Sequence, residues 1–271
     1  MNKWLKMAFL AALLMGAGYF CGAVCKQIGR ACELTLFPSK ELLGLLLWFL
    51  LALGAIAVTA GLVAALLRPV WVGVIAFALS GLTMLLGWQV TVVSSVLVLM
   101  YFLAASFYAM RVARELNERI RFSVRPIGEG QDILLMALIL VVCGSLYLGY
   151  TVYIEREGFS IPESYIEMFM EQMEKQIEGR IPQEERQEAV AKFREEFRRN
   201  IDGFLERMVK PYERFIPLTI VASLFMPLVT ITRLLAWVPS VILRLVFPLL
   251  TALGVTKVVF ETREVQRLVI S

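Results

Sequence analysis

The chain contains no histidine. That one absence removes whole chemistries: bis-histidine haem, histidine-ligated metals, HExxH intramembrane metalloproteases and Ser–His rhomboid-type proteases all need an imidazole. Catalysis would have to rest on carboxylate, cysteine or lysine. Carboxylates are also missing where a membrane relay would need them. No Asp or Glu falls inside any of the long apolar runs described below, whereas proton-coupled carriers place an acid or histidine within the bilayer. No Walker A pattern occurs, so the chain is not itself an ATPase. The apolar and polar residues do not alternate in segments of about ten, as a membrane barrel would require.

Cysteine is scarce, with four in 271 residues. Cys21 and Cys25 are four apart and share a helix face, Cys32 follows them, and Cys143 lies far downstream. The spacing matches no zinc pattern. The thiols are expected to act as small apolar residues, the alternative being a disulfide or metal among the first three. No cofactor and no metal are expected.

What the chain has in excess is apolar surface. By the broad count 59% of it is hydrophobic and its mean hydropathy is +0.72, against about 45–50% apolar residues in soluble domains. The excess sits in long runs, and a spanning helix needs about 20 mostly apolar residues. Only helices and closed barrels satisfy their backbone groups in lipid, so the expected fold is all-α: a polytopic transmembrane helical bundle.

Seven runs are expected to span, at about 7–25, 42–66, 70–88, 90–110, 133–153, 215–236 and 239–259. The first follows the basic stretch MNKWLK and has the layout of a secretory signal, but no A-x-A site follows, so it is expected to stay. The 41 residues from 70 to 110 carry no charge and are too many for one helix across about 30 Å. They are expected to fold as two spans turning near Gly87, Trp88 and Gln89. Pro239, Arg244 and Pro248 interrupt the last run; if it is re-entrant, the count falls to six. Gly18 and Gly22 form a G-x-x-x-G step, where small residues let helix backbones approach. It marks where the first span packs without implying dimerisation.

Three parts follow: membrane spans one to five in 1–153, an extramembrane charged helical hairpin in 154–214, and the last spans with a short tail in 215–271. The net charge of +4 is unevenly divided. Segment 154–214 has 15 acidic and 11 basic residues, a net of −4, and the rest is at +8. The basic residues stand at span ends rather than along one groove-sized stripe, so nucleic acid is not an expected partner. Arg111, Arg114, Arg119, Arg121 and Arg125 make the connection between spans four and five the most basic short loop. By the positive-inside rule it and the N-terminus are cytoplasmic, in the plasma (inner) membrane, and 154–214 lies outside. With seven spans the tail, carrying Lys257, Arg263 and Arg267, would lie outside, against that rule; a re-entrant last segment removes the conflict.

In the hairpin, Ile161-Pro162 and Ile181-Pro182 each open a helical pattern. Ile166, Phe169, Met170, Met173 and Ile177 then form one apolar stripe, with Gly179 as a stop. Val190, Phe193, Phe197, Ile201, Phe204 and Met208 form a narrower seam that Pro211 ends. The two stripes can close on each other, or meet a lipid surface or another membrane protein. Ile166, Phe169, Met170, Met173, Phe193, Phe197 and Phe204 are therefore candidate contacts. Arg233 and Arg244, charges within the last two apolar runs, are candidates too: an ionisable group in a span is a functional hypothesis by default, against simple snorkelling to the interface. Glu115, Glu118, Glu129 and Asp132 are interleaved with arginines, which points to helix-surface pairing.

Three functions remain open. The chain is read first as a non-enzymatic membrane component that binds partners through its hairpin and bundle. It is read second as a small-solute transporter, or the substrate-binding membrane subunit of one driven by a separate ATPase, which predicts a polar cavity between spans. An enzyme acting on lipid-linked substrates is third. In outline, over about residues 160–236, a charged amphipathic segment before the last spans resembles the YybS-like family, distant relatives of vitamin-uptake substrate subunits. The resemblance rests on pattern, carries no motif or residue, and implies the second function.

Overall fold

The computed structural model describes residues 3–30, 40–118, 124–157 and 210–253, with isolated positions between 195 and 207 and at Thr256. Seven α-helices account for nearly all of this: α1 Lys3–Arg30, α2 Lys40–Leu66, α3 Val70–Gly87, α4 Val92–Glu118, α5 Arg125–Glu157, α6 Ile216–Leu235 and α7 Trp237–Ala252. No strand occurs among the described residues. The helices carry the first five predicted spans and mostly overrun their ends, because the polar residues that bound an apolar run can continue a helix beyond the lipid.

Six helical runs are long and apolar enough to cross a membrane, α6 and α7 counting together as Ile216–Ala252. Their outward side chains are those of an integral membrane protein: Trp71, Leu86, Leu99, Leu103, Met226 and Leu245 are each more than half exposed. Water would penalise such a continuous apolar face, whereas acyl chains would not.

Small residues set the packing. A Cβ on Gly22 would collide with the Met84 carbonyl, and one on Gly87 would lie 2.5 Å from the Tyr19 carbonyl oxygen. The G-x-x-x-G step of α1 therefore faces α3 inside the molecule, and the two helices run parallel. Hydroxyls and one amide then link neighbouring helices. Ser80 Oγ donates to the Leu14 carbonyl at 3.1 Å and pairs with the Tyr101 hydroxyl at 3.2 Å. Gln131 Nε2 donates to the Ala57 carbonyl at 3.0 Å, tying α5 to α2, and Ser145 Oγ donates to the Cys25 carbonyl at 2.5 Å, tying α5 to α1.

The predicted turn after α3 is present. Trp88 N–H closes α3 on the Met84 carbonyl at 3.1 Å. Thr91 and Ser94 then cap α4 reciprocally: Ser94 N–H donates to Thr91 Oγ1 at 3.1 Å and Thr91 N–H to Ser94 Oγ at 2.8 Å. Each side chain satisfies a backbone donor that a helix start leaves open.

These contacts fix the helix directions. Cys25 meets Ser145 and Gly29 meets Gly149, so α1 runs with α5. Ala57 meets Gln131, Tyr108 meets Gly130, and Val229 packs on Ile139 and Cys143, so α2, α4 and α6 run the other way. One end of the bundle thus gathers the start of α1, the end of α6, Arg68, Arg111 and Arg114 of α4, and Arg125 of α5. The opposite end receives the end of α5 and the start of α6, where segment 154–214 is attached.

Predicted spans six and seven fold as α6 and α7, which together form one helical run long and apolar enough to cross a membrane. α7 has 16 residues, about 24 Å of helix at 1.5 Å per residue, against a hydrocarbon core of about 30 Å. It follows α6 with only Ala236 between them and packs over the basic end. Leu243, fully buried, and Ile127 of α5 both lie against Gly61 of α2, and Ser240 lies against Gly128. The six-span alternative describes this arrangement.

The core is continuous from α1 to α7. Phe77, Met84, Tyr101, Tyr108, Leu134, Leu138 and Tyr150 lie in it with less than 2% exposure, so side chains close the centre of the bundle. Cys21 and Cys25 are free thiols buried there, and Cys143 is a free thiol buried in a smaller cluster with Ile139 and Val229; Cys32 lies outside the described residues.

Candidate functional site

Two recesses in this packed body carry charge, one at each end. The first is a lateral groove of about 410 Å³ between α4, α5 and α6. Met100 and Ala104 of α4, Met136 and Leu140 of α5, and Val229 of α6 give it apolar walls. Polar groups gather toward the basic end, where Asp132 of α5 faces Thr232 and Arg233 of α6. Among the described residues neither Asp132 nor Arg233 takes part in an ion pair. The buried Thr232 Oγ1 has no hydrogen-bond partner there. Other threonines and serines of these helices return a bond to their own backbone, as Thr230 does to Met226 at 2.9 Å and Ser95 to Thr91 at 2.8 Å.

The second recess, of about 380 Å³, lies at the opposite end. Lys26, Gly29 and Arg30 come from the last turns of α1, Trp88, Gln89 and Thr91 from the turn between α3 and α4, and Ser145, Gly149 and Tyr153 from α5. Its position follows from Gly29 and Gly149, whose backbones are in direct contact, so the last turns of α1 and α5 lie side by side. A third cleft, of about 200 Å³, is apolar and runs between Phe49, Leu146, Pro227 and Leu228.

Of the residues singled out in the sequence, Arg233 lines the lateral groove, while Arg244 is exposed on α7 and stands apart from it. Ile166, Phe169, Met170, Met173, Phe193 and Phe204 lie outside the described residues; Phe197 is described, helical and half-buried. The arginine–carboxylate interleaving appears as surface pairs one turn apart: Arg111–Glu115 at 3.0 Å, Arg114–Glu118 at 3.0 Å and Arg125–Glu129 at 2.7 Å. Such exposed pairs are worth about 0.3–0.5 kcal/mol each and serve the helices that carry them.

Sequence reasoning passed over Asp132 as one more member of that charged run and did not single out Lys26 or Arg30. Lys26 ends an apolar run with Arg30 four residues on, which was the one available signal. Comparison with known proteins finds no matching family model, no matching curated protein and no matching solved structure, so nothing beyond the chain's own pattern accompanies the resemblance to the YybS-like family.

Proposed function

We propose that this integral membrane protein is a non-enzymatic component that binds partners, through its lipid-embedded faces and through the stripes of segment 154–214. The observation that carries this reading is the filled centre of the bundle. The buried Tyr101, Tyr108, Tyr150 and Phe77 occupy the space that a solute path between spans would need, and interhelical hydrogen bonds tie the helices around them together. A body of this kind supports recognition on its surface. The lateral groove, apolar along its length and charged at one end, suits a lipid or a helix of another membrane protein with its polar group beside Arg233. The concentration of arginines at one end supports a cytoplasmic N-terminus in the plasma (inner) membrane.

One observation favours the second reading, a substrate-binding membrane subunit for a separate ATPase. The end recess is polar and basic, and lies at the depth where a soluble ligand could enter. Purification in mild detergent, with identification of the proteins and lipids retained, separates the two. A stoichiometric membrane partner without nucleotide-binding activity is expected. A stoichiometric ATPase would favour transport, and consistent isolation alone with a tight small ligand would remove the partner-binding reading.

A further inference from the structure

We propose that the end recess bounded by Lys26, Arg30, Trp88, Gln89 and Ser145 is a binding site for an oxyanion, a phosphate or carboxylate group. The proposal is independent of the partner-binding reading.

The placement of charge carries it. Lys26 and Arg30 are one helical turn apart on α1 and line the same recess. Both stand at the C-terminal end of α1, where the helix dipole favours positive charge, and together they make the recess a basic one. The described lining contains no Asp or Glu, and among the described residues neither cation forms an ion pair. At the other end of the bundle Arg111, Arg114 and Arg125 each pair with a carboxylate one turn away. Among the described residues, Lys26 and Arg30 have no such carboxylate paired with them.

The rest of the lining supplies neutral hydrogen-bonding groups and room. Gln89 brings a side-chain amide and Trp88 an indole N–H, a donor only, while the Thr91 hydroxyl is taken up by Ser94 in the cap of α4. Gly29 keeps the floor open, since a Cβ there would come 3.3 Å from the Ser145 carbonyl and hydroxyl oxygens. Arginine offers a planar fork for two oxygens of one group, and lysine a compact point charge. The recess lies at the ends of spans, level with the aromatic Trp88 and Tyr153, where lipid phosphates stand and where a soluble anion can also arrive. Both sources present the same chemistry.

The test uses the full chain in phosphatidylcholine nanodiscs, with two probes. Inorganic phosphate is titrated calorimetrically. Phosphatidylglycerol is mixed into the discs, and the lipid retained is counted by native mass spectrometry. At least one probe is expected to bind, and Lys26→Gln/Arg30→Gln is expected to weaken it about tenfold or more, as loss of charged hydrogen bonds implies. Lys26→Arg should keep binding, and Arg111→Gln, at the far end, should leave it unchanged. Arg30→Gln alone, on an exposed side chain, should give a smaller loss in the same direction if the double variant does not fold. Phosphate binding without lipid preference marks a soluble ligand, and retention of phosphatidylglycerol alone marks a headgroup. Either result supports the site. Failure of both probes, or equal binding by wild type and the Lys26 and Arg30 variants, overturns it.

Discussion

Gly18 and Ser80 are packed so closely that a Cβ added to Gly18 would lie 2.5 Å from both the carbonyl and the hydroxyl oxygen of Ser80. Ser80 also donates to the Leu14 carbonyl and pairs with Tyr101. One serine therefore joins α1, α3 and α4, and it does so only because position 18 has no side chain. The small-residue step in the first span is consumed by packing within the chain.

Gly18→Leu should accordingly lower resistance to unfolding in detergent by about 1–3 kcal/mol or more, the usual cost of forcing methylenes into a filled space. Gly16→Leu is the matched control, since a Cβ there meets nothing within 4 Å, and it should be nearly neutral. Thermal unfolding of both variants, followed by circular dichroism, checks the difference.

Removing the polar link between α1 and α5 should cost less. Ser145→Ala deletes the donor to the Cys25 carbonyl, and interhelical hydrogen bonds in membrane proteins contribute about 0.6 to 1.7 kcal/mol. Gln131→Leu, which deletes the α5–α2 link, should fall in the same range. The two sites lie more than three turns apart on α5, so the double variant should show the sum. A much larger combined loss in detergent unfolding would mean that the two links act as one unit.

The lateral groove predicts a contrast between two arginines. Arg233→Gln should reduce the anionic lipid or protein partner retained on purification, because Arg233 lines the groove beside Asp132. Arg244→Gln, exposed on α7 away from that lining, should not. Quantitative lipid and protein analysis of the three samples reads the outcome; equal loss from both variants would assign the effect to general surface charge.

The stripes of segment 154–214 predict a second contrast. Phe169→Glu and Phe193→Glu should lower recovery of a protein partner without shifting the unfolding of the bundle. A fall in bundle stability with unchanged recovery would mean that the segment closes on the bundle instead.

The first five helices were legible because each rests on an uninterrupted apolar run, and the turn at Trp88–Thr91 because 41 uncharged residues exceed one crossing. The end of the chain was harder. Arg233 and Pro239 mimic the polar turn of a helical hairpin, and residues 237–252 are apolar enough to span; only their short length and their packing on Gly61 and Gly128 distinguish them. The charged recesses were least legible. Lys26, Gln89 and Tyr153 come from three helices or turns separated by more than sixty residues at each step, and no local pattern announces that Gly29 and Gly149 bring them together. Arg233 was visible as a charge in an apolar run, whereas its neighbour across the groove, Asp132, was hidden among carboxylates that do pair on helix surfaces.

The account rests most heavily on six crossings with α1 starting and α6 ending at the same face of the membrane. Single cysteines placed at residues 2, 180 and 268 of a cysteine-free chain, labelled with an impermeant maleimide in intact cells and again after permeabilisation, test it directly. Residue 180 should react in intact cells, and residues 2 and 268 only after permeabilisation. Labelling of residues 2 and 268 from opposite sides would contradict the six-span account.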